Sequence, residues 1–182
     1  MIKKFEEFVT VLTESNTSNE EISKNKKYLK DVIKKCLNFI EGKETSVEFY
    51  YHRGLIVCGT PGIGKDKFVK DVIKEVGGDE KKYVFIEGEN VENLPKTLKE
   101  NNNKLIVING IDVFKNKENV SCLKHAMDRH EKMREIRLDN DTTFTFNGFV
   151  VIIINQLGSF FNENPTKEYA NEITQRCIIV NL

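Results

Sequence analysis

Lys65 is the residue around which chemistry can be built. It sits in the run Gly59-Thr60-Pro61-Gly62-Ile63-Gly64-Lys65-Asp66. A short apolar stretch precedes that run (Leu55, Ile56, Val57, Cys58), and a helical pattern follows it in Phe68, Val69, Val72, Ile73 and Val76. Strand, glycine loop, lysine and helix in this order make a phosphate-binding loop. The glycines let the backbone turn tightly and bring its N–H groups onto phosphate oxygens. The helix N-terminus adds unpaired donors and the positive end of a dipole. Lys65 supplies a point charge for the outer phosphates; its structural alternative is an ion pair with Asp66 or another nearby acid. The pattern asks for Ser or Thr after the lysine, to hold Mg²⁺ through a hydroxyl, and this chain has Asp66 there.

The rest of the chain supplies elements to position that loop. Leu105–Ile108 and Phe149–Ile154 are continuous apolar runs of the kind buried parallel strands need, and the second is the most apolar in the chain, hence a central strand. Tyr83–Ile86 and Ile178–Val180 are shorter strands. The loop helix is predicted to stop at Gly77-Gly78. Further helices are expected over Tyr28–Ile40, Asn90–Glu100 with Asn90 as its cap, Asn119–Arg134, and around Lys167–Thr174. Ile136–Phe146 alternates about Asp139-Asn140-Asp141, which suggests a hairpin. Ahead of these, Ile2–Ser15 has helical spacing and Glu14–Glu21 reads as a polar link. The expected organisation is therefore an N-terminal helix and linker over 1–25 and a core over 26–182. Strands alternating with helices imply an α/β fold, a parallel sheet with helices on both faces.

Composition narrows the function classes. The 182 residues suit one such domain, and 28 basic against 28 acidic residues leave a formal charge of zero, so net charge gives no support for nucleic acid or an anionic membrane. Four scattered cysteines, two of them inside apolar runs, read as reduced core residues of a cytoplasmic protein. Cys122 and His125 lie three apart on an expected helix, but two further metal ligands are missing. No apolar stretch reaches membrane-spanning length.

Four blocks together resemble the AAA+ family of P-loop ATPases. Arg53–Lys65 is similar to the family's Walker A region, and Lys104–Asp112 falls where it has its Walker B strand. Phe149–Asn155 resembles the sensor-1 strand, with Asn155 as the polar sensor. Thr174-Gln175-Arg176-Cys177 resembles the arginine-finger segment. Leu123–Asp128 and Phe144–Gly148 further resemble small AAA+ ATPases encoded by tailed phages, which implies host-cell cytoplasm. The resemblance implies a P-loop NTPase core of five strands, ATP or ADP as cofactor with Mg²⁺, and assembly with itself or another AAA+ subunit. It also implies that Arg176 reaches a neighbouring subunit's phosphate, with a salt bridge as the alternative role. The family's helical lid has no room before Leu182 and is expected to be absent.

The departures fall on the chemistry. Where the family ends its Walker B strand in Asp-Glu, this chain has Asn109-Gly110. Glycine has no side chain to polarise water, and asparagine gives Mg²⁺ no anionic contact. Asp66 is the one candidate for a relocated metal ligand, and Asp112, two residues beyond Gly110, for a relocated base. Three readings follow. The first is a degenerate module that binds ATP or ADP with impaired or absent hydrolysis and acts through protein–protein contacts. The second is a working Mg²⁺-dependent ATPase using Asp66 and Asp112 in a ring that acts on DNA or protein. The third is a nucleic-acid-binding module using the hairpin with Lys132, Arg134 and Arg137.

Overall fold

The computed structural model describes residues 19–43, 53–91, 93–128, 134–137, 142–155 and 171–182. Five strands form a parallel sheet: β1 (Gly54–Cys58), β2 (Tyr83–Glu87), β3 (Leu105–Asn109), β6 (Phe149–Ile153) and β7 (Cys177–Asn181), in the order β2-β3-β6-β1-β7. Two shorter strands, β4 (Arg134–Arg137) and β5 (Thr143–Phe146), pair antiparallel as the expected hairpin. The runs read as apolar in sequence are the buried strands, and β6 is indeed central.

Successive side chains of a strand point to opposite faces, so each apolar run serves two cores. Leu55, Val57, Leu105, Val107, Phe149 and Val151 pack beneath α1 (Asn19–Ile40) and α2 (Lys65–Glu75). Ile56, Ile106, Ile108, Val150 and Ile152 pack beneath α3 (Leu94–Glu100), α4 (Lys117–Ala126) and the hairpin. Each fully buried isoleucine or leucine contributes roughly 1.5–3 kcal/mol of transfer free energy. The expected three-layer α/β architecture is thus present.

Element boundaries differ from expectation in three places, each for a local reason. Helix α1 begins at Asn19, inside the stretch expected to be a polar link, and runs on without a break through residues 25 and 26. Its first turns are polar because most of their residues are exposed; Ile22, half-buried, continues the inward stripe of Leu29, Val32, Ile33 and Cys36. Helix α3 starts at Leu94, capped by Asn93 rather than Asn90. The Asn93 side chain accepts from the N–H of Lys96 at 2.9 Å, Pro95 lies in the first turn, and residues 88–90 form a short 3₁₀ turn. Helix α4 starts at Lys117, capped by Asn116, and ends at Ala126, so Arg134 is not helical. The guanidinium of Arg134 is buried and donates to the carbonyls of Ala126 at 2.7 Å and Gly148 at 3.1 Å, which ties the hairpin back over the end of α4. The helix expected over Ile2–Ser15, Lys132 and half of the Lys167–Thr174 helix lie outside the described residues. Among the described residues, no helix is long and apolar enough to cross a membrane.

Candidate nucleotide site

The loop between β1 and α2 occupies the C-terminal edge of the sheet, the edge where open parallel α/β sheets bind ligands. Gly62 and Gly64 have φ of +83° and +76°, in the left-handed region, with open space around both. Thr60, Pro61, Gly62 and Ile63 are exposed, and Ile63 is one of only two large apolar side chains so exposed among the described residues. Gly64 stands at the N-cap of α2 with no side-chain cap, so the donors of the first helical turn are left to the loop and its ligand.

Lys65 is the first residue of α2 and is only 5 % exposed. Its ammonium donates to the carbonyls of Gly59 (3.1 Å) and Thr60 (2.9 Å) and to Asn155 Oδ1 (3.2 Å). These partners are neutral oxygens, so the ion pair with Asp66 considered from sequence is not what holds it. Burial lowers its pKa from the usual 10.5, and the nearby Cys58 and Asp66 oppose the shift. The Cys58 thiol beneath the loop is itself pushed up to about 12, chiefly by burial. Asp66 is half-buried in the first turn of α2, where its carboxylate occupies the position that the motif gives to a hydroxyl.

Asn155 follows β6 and reaches the loop twice. Its carbonyl accepts the Gly59 N–H at 2.9 Å while its side chain accepts from Lys65. The sequence placed Asn155 at a strand tip; the sheet order sets that tip beside the loop because β6 is hydrogen-bonded to β1.

The end of β3 is the second half of the site. Asn109 donates its amide to Glu87 Oε2 at 2.9 Å. Gly110 has φ +104° and gives its N–H to the Ile153 carbonyl at 2.8 Å. A side chain at residue 110 would be strained there, so this backbone is built for glycine. Asp112 lies in a 3₁₀ turn (Asp112–Lys115), not in an extended strand, and pairs with Lys115. Its Oδ2 nevertheless lies 3.8 Å from where a Cβ at residue 110 would stand. Glu87, Glu89, Asn109, Gly110, Asp112 and Asn155 all line one cleft of about 430 Å³.

Arg176 stands apart. It precedes β7, whose first residue Cys177 is level with Gly54, whereas the loop leaves β1 level with Asn181. It is therefore on the opposite edge of the sheet from Lys65. Its Nη1 donates to the Glu172 carbonyl, and its own carbonyl accepts the N–H groups of Arg53 and Gly54.

No protein-family model and no curated protein sequence matches the chain. Among solved structures, NtrX from Brucella abortus, determined in complex with ADP, superposes with a TM-score of 0.54 at 11 % identity, over 99 % of this chain and 40 % of NtrX. What the two share is the fold, an α/β architecture built on a five-stranded parallel sheet. The present chain spans two fifths of the NtrX chain, and at that identity the likeness concerns fold alone.

The loop fits a nucleotide's phosphates: its exposed crown has room, and the lysine's partners are groups that a phosphate can replace. The metal is less well provided for. Asp66 offers a carboxylate, Asn109 turns its amide N–H₂ to Glu87, and no group of three His, Cys, Asp or Glu suited to a metal ion exists among the described residues. The sequence motifs did not single out Glu87 or Glu89. Glu87 ends β2, and only the β2–β3 register, which sets it opposite Asn109, reveals its place in the site. Of the basic residues considered for nucleic acid, Arg134 is buried and bonded to backbone, Arg137 is exposed, and Lys132 lies outside the described residues.

Proposed function

We propose that this chain is a nucleotide-binding module of AAA+ type that holds ATP or ADP at Lys65 and hydrolyses ATP slowly or not at all. It acts by contact with other copies of itself or with an active AAA+ subunit. The observation that carries this reading is the contrast between the two halves of the site. The phosphate loop retains its left-handed glycines and a buried lysine held by exchangeable oxygens. The position of the usual general base is a glycine at φ +104°. Removing a general base costs typically 10²–10⁴ in rate. That NtrX was determined with ADP supports the choice of ligand class. The test is to measure ATP binding and phosphate release side by side. Binding that Lys65→Ala abolishes, with release far below ordinary enzymatic rates, supports the reading; rapid release that depends on Lys65 contradicts it.

A second reading, a working Mg²⁺-dependent ATPase with rearranged acids, has one observation in its favour. The Asp112 carboxylate reaches the space beside Gly110 that a side chain would otherwise enter. It requires that Asp112→Asn, and for the metal Asp66→Ala, each abolish turnover.

A further inference from the structure

The cleft at the ends of β2, β3 and β6 holds an acid that no motif marks. We propose that Glu87 takes the proton from the attacking water when this site hydrolyses ATP, slow as that turnover is, and that Asn109 positions it. The proposal rests on the nucleotide-binding reading above.

Three observations carry it. First, Glu87 and Asn109 are register partners on adjacent parallel strands, and the Asn109 amide donates to Glu87 Oε2 at 2.9 Å. That bond fixes the carboxylate and leaves Oε1, which takes no hydrogen bond among the described residues, for a water. Second, the same cleft is lined on its other side by Asn155, whose Oδ1 holds the phosphate-loop lysine at 3.2 Å. Two inter-strand spacings, roughly 10 Å, separate β2 from β6. A terminal phosphate held near Lys65 and Asn155 would thus face Glu87 across a space with room for water. Third, the two positions that the motif pattern offers for a base are blocked or engaged. Gly110 has no side chain and a backbone unsuited to one, and the Asp112 carboxylate is already paired with Lys115.

The Glu87 carboxylate accepts one proton from water. The water oxygen bonds to the γ-phosphorus while the bond from that phosphorus to the β,γ-bridging oxygen breaks. ADP leaves with the electron pair, and the exposed Glu87 returns its proton to solvent.

The experiment is phosphate release from saturating Mg²⁺–ATP, with calorimetric ATP binding on the same samples, for wild type, Glu87→Gln, Glu87→Ala, Asp112→Asn and Lys65→Ala. Glu87→Gln should bind ATP within about threefold of wild type and release phosphate at least about 100-fold more slowly. Asp112→Asn should slow release far less than Glu87→Gln does. Formate should restore release to Glu87→Ala and not to Lys65→Ala, which separates lost chemistry from lost folding. The proposal is overturned if Glu87→Gln keeps wild-type release, if Asp112→Asn is the variant that loses it, or if wild type binds ATP yet releases phosphate no faster than Lys65→Ala. Failure of wild type to bind ATP would remove the underlying reading as well.

Discussion

Lys65 is buried, and its ammonium is satisfied by three oxygens of the loop and of Asn155, so a phosphate must exchange with partners already in place. Because burial lowers its pKa, the cation that phosphate needs is lost at a lower pH than for an exposed lysine. ATP affinity measured calorimetrically from pH 7 to 10 is therefore expected to weaken as pH rises, with the onset below the usual lysine range. Folding stability runs the other way. The unfolded chain binds more protons at this site between the lowered and the ordinary pKa, so stability rises with pH across that window. Gly110 supports a second prediction. Gly110→Glu, the change that would restore the usual base in sequence, is expected to destabilise the fold by roughly 1–3 kcal/mol and to leave phosphate release unimproved. Chemical denaturation and a release assay on the same sample check both parts. At this scale the phosphate loop was legible from sequence because its chemistry is local: glycines, lysine and helix start are consecutive. Glu87 was not, because its partner Asn109 is 22 residues away and becomes a neighbour only through strand pairing.

The elements that carry these residues are held by asparagines as much as by apolar stripes. Asn116 Oδ1 caps α4, accepting from Glu118 at 2.8 Å and more weakly from Asn119 at 3.4 Å. Asn119 is buried; its Oδ1 accepts the Leu94 N–H at 3.2 Å and its amide donates to the Val91 carbonyl at 3.0 Å, joining α4 to the start of α3. Asn116→Ala should cost about 1 kcal/mol, the ordinary value of a lost cap. Asn119→Ala should cost more, about 2–3 kcal/mol, since it strands a buried donor and a buried acceptor together. Urea unfolding of the two variants ranks them directly. The strands and the hairpin were readable because buried parallel strands are continuous apolar runs and hairpins alternate. Helix ends were less so. Asn90 and Asn93 are both good caps in sequence, and the 3₁₀ turn at 88–90 together with Pro95 selects the second.

Across the whole molecule, strand order converts separate motifs into one site. Placing β6 between β1 and β3 brings Asn155 to the phosphate loop and Gly110 to Ile153, while β2 outside β3 adds Glu87 to the rim. The same order puts Arg176 on the far edge, where it cannot meet a nucleotide bound to its own loop. Arg176→Ala should therefore leave ATP affinity at low protein concentration unchanged, and any effect it has on phosphate release should grow with protein concentration. Parallel titrations and concentration series separate the two. The central claim is that the loop binds nucleotide while the hydrolytic half is depleted, and calorimetric titration of ATP and ADP, with and without Mg²⁺, tests it most directly when wild type is set beside Lys65→Ala. Wild type is expected to bind both nucleotides, Mg²⁺ to alter the affinity little, and Lys65→Ala to remove the binding. Absence of binding by wild type, or binding that survives Lys65→Ala, would contradict it.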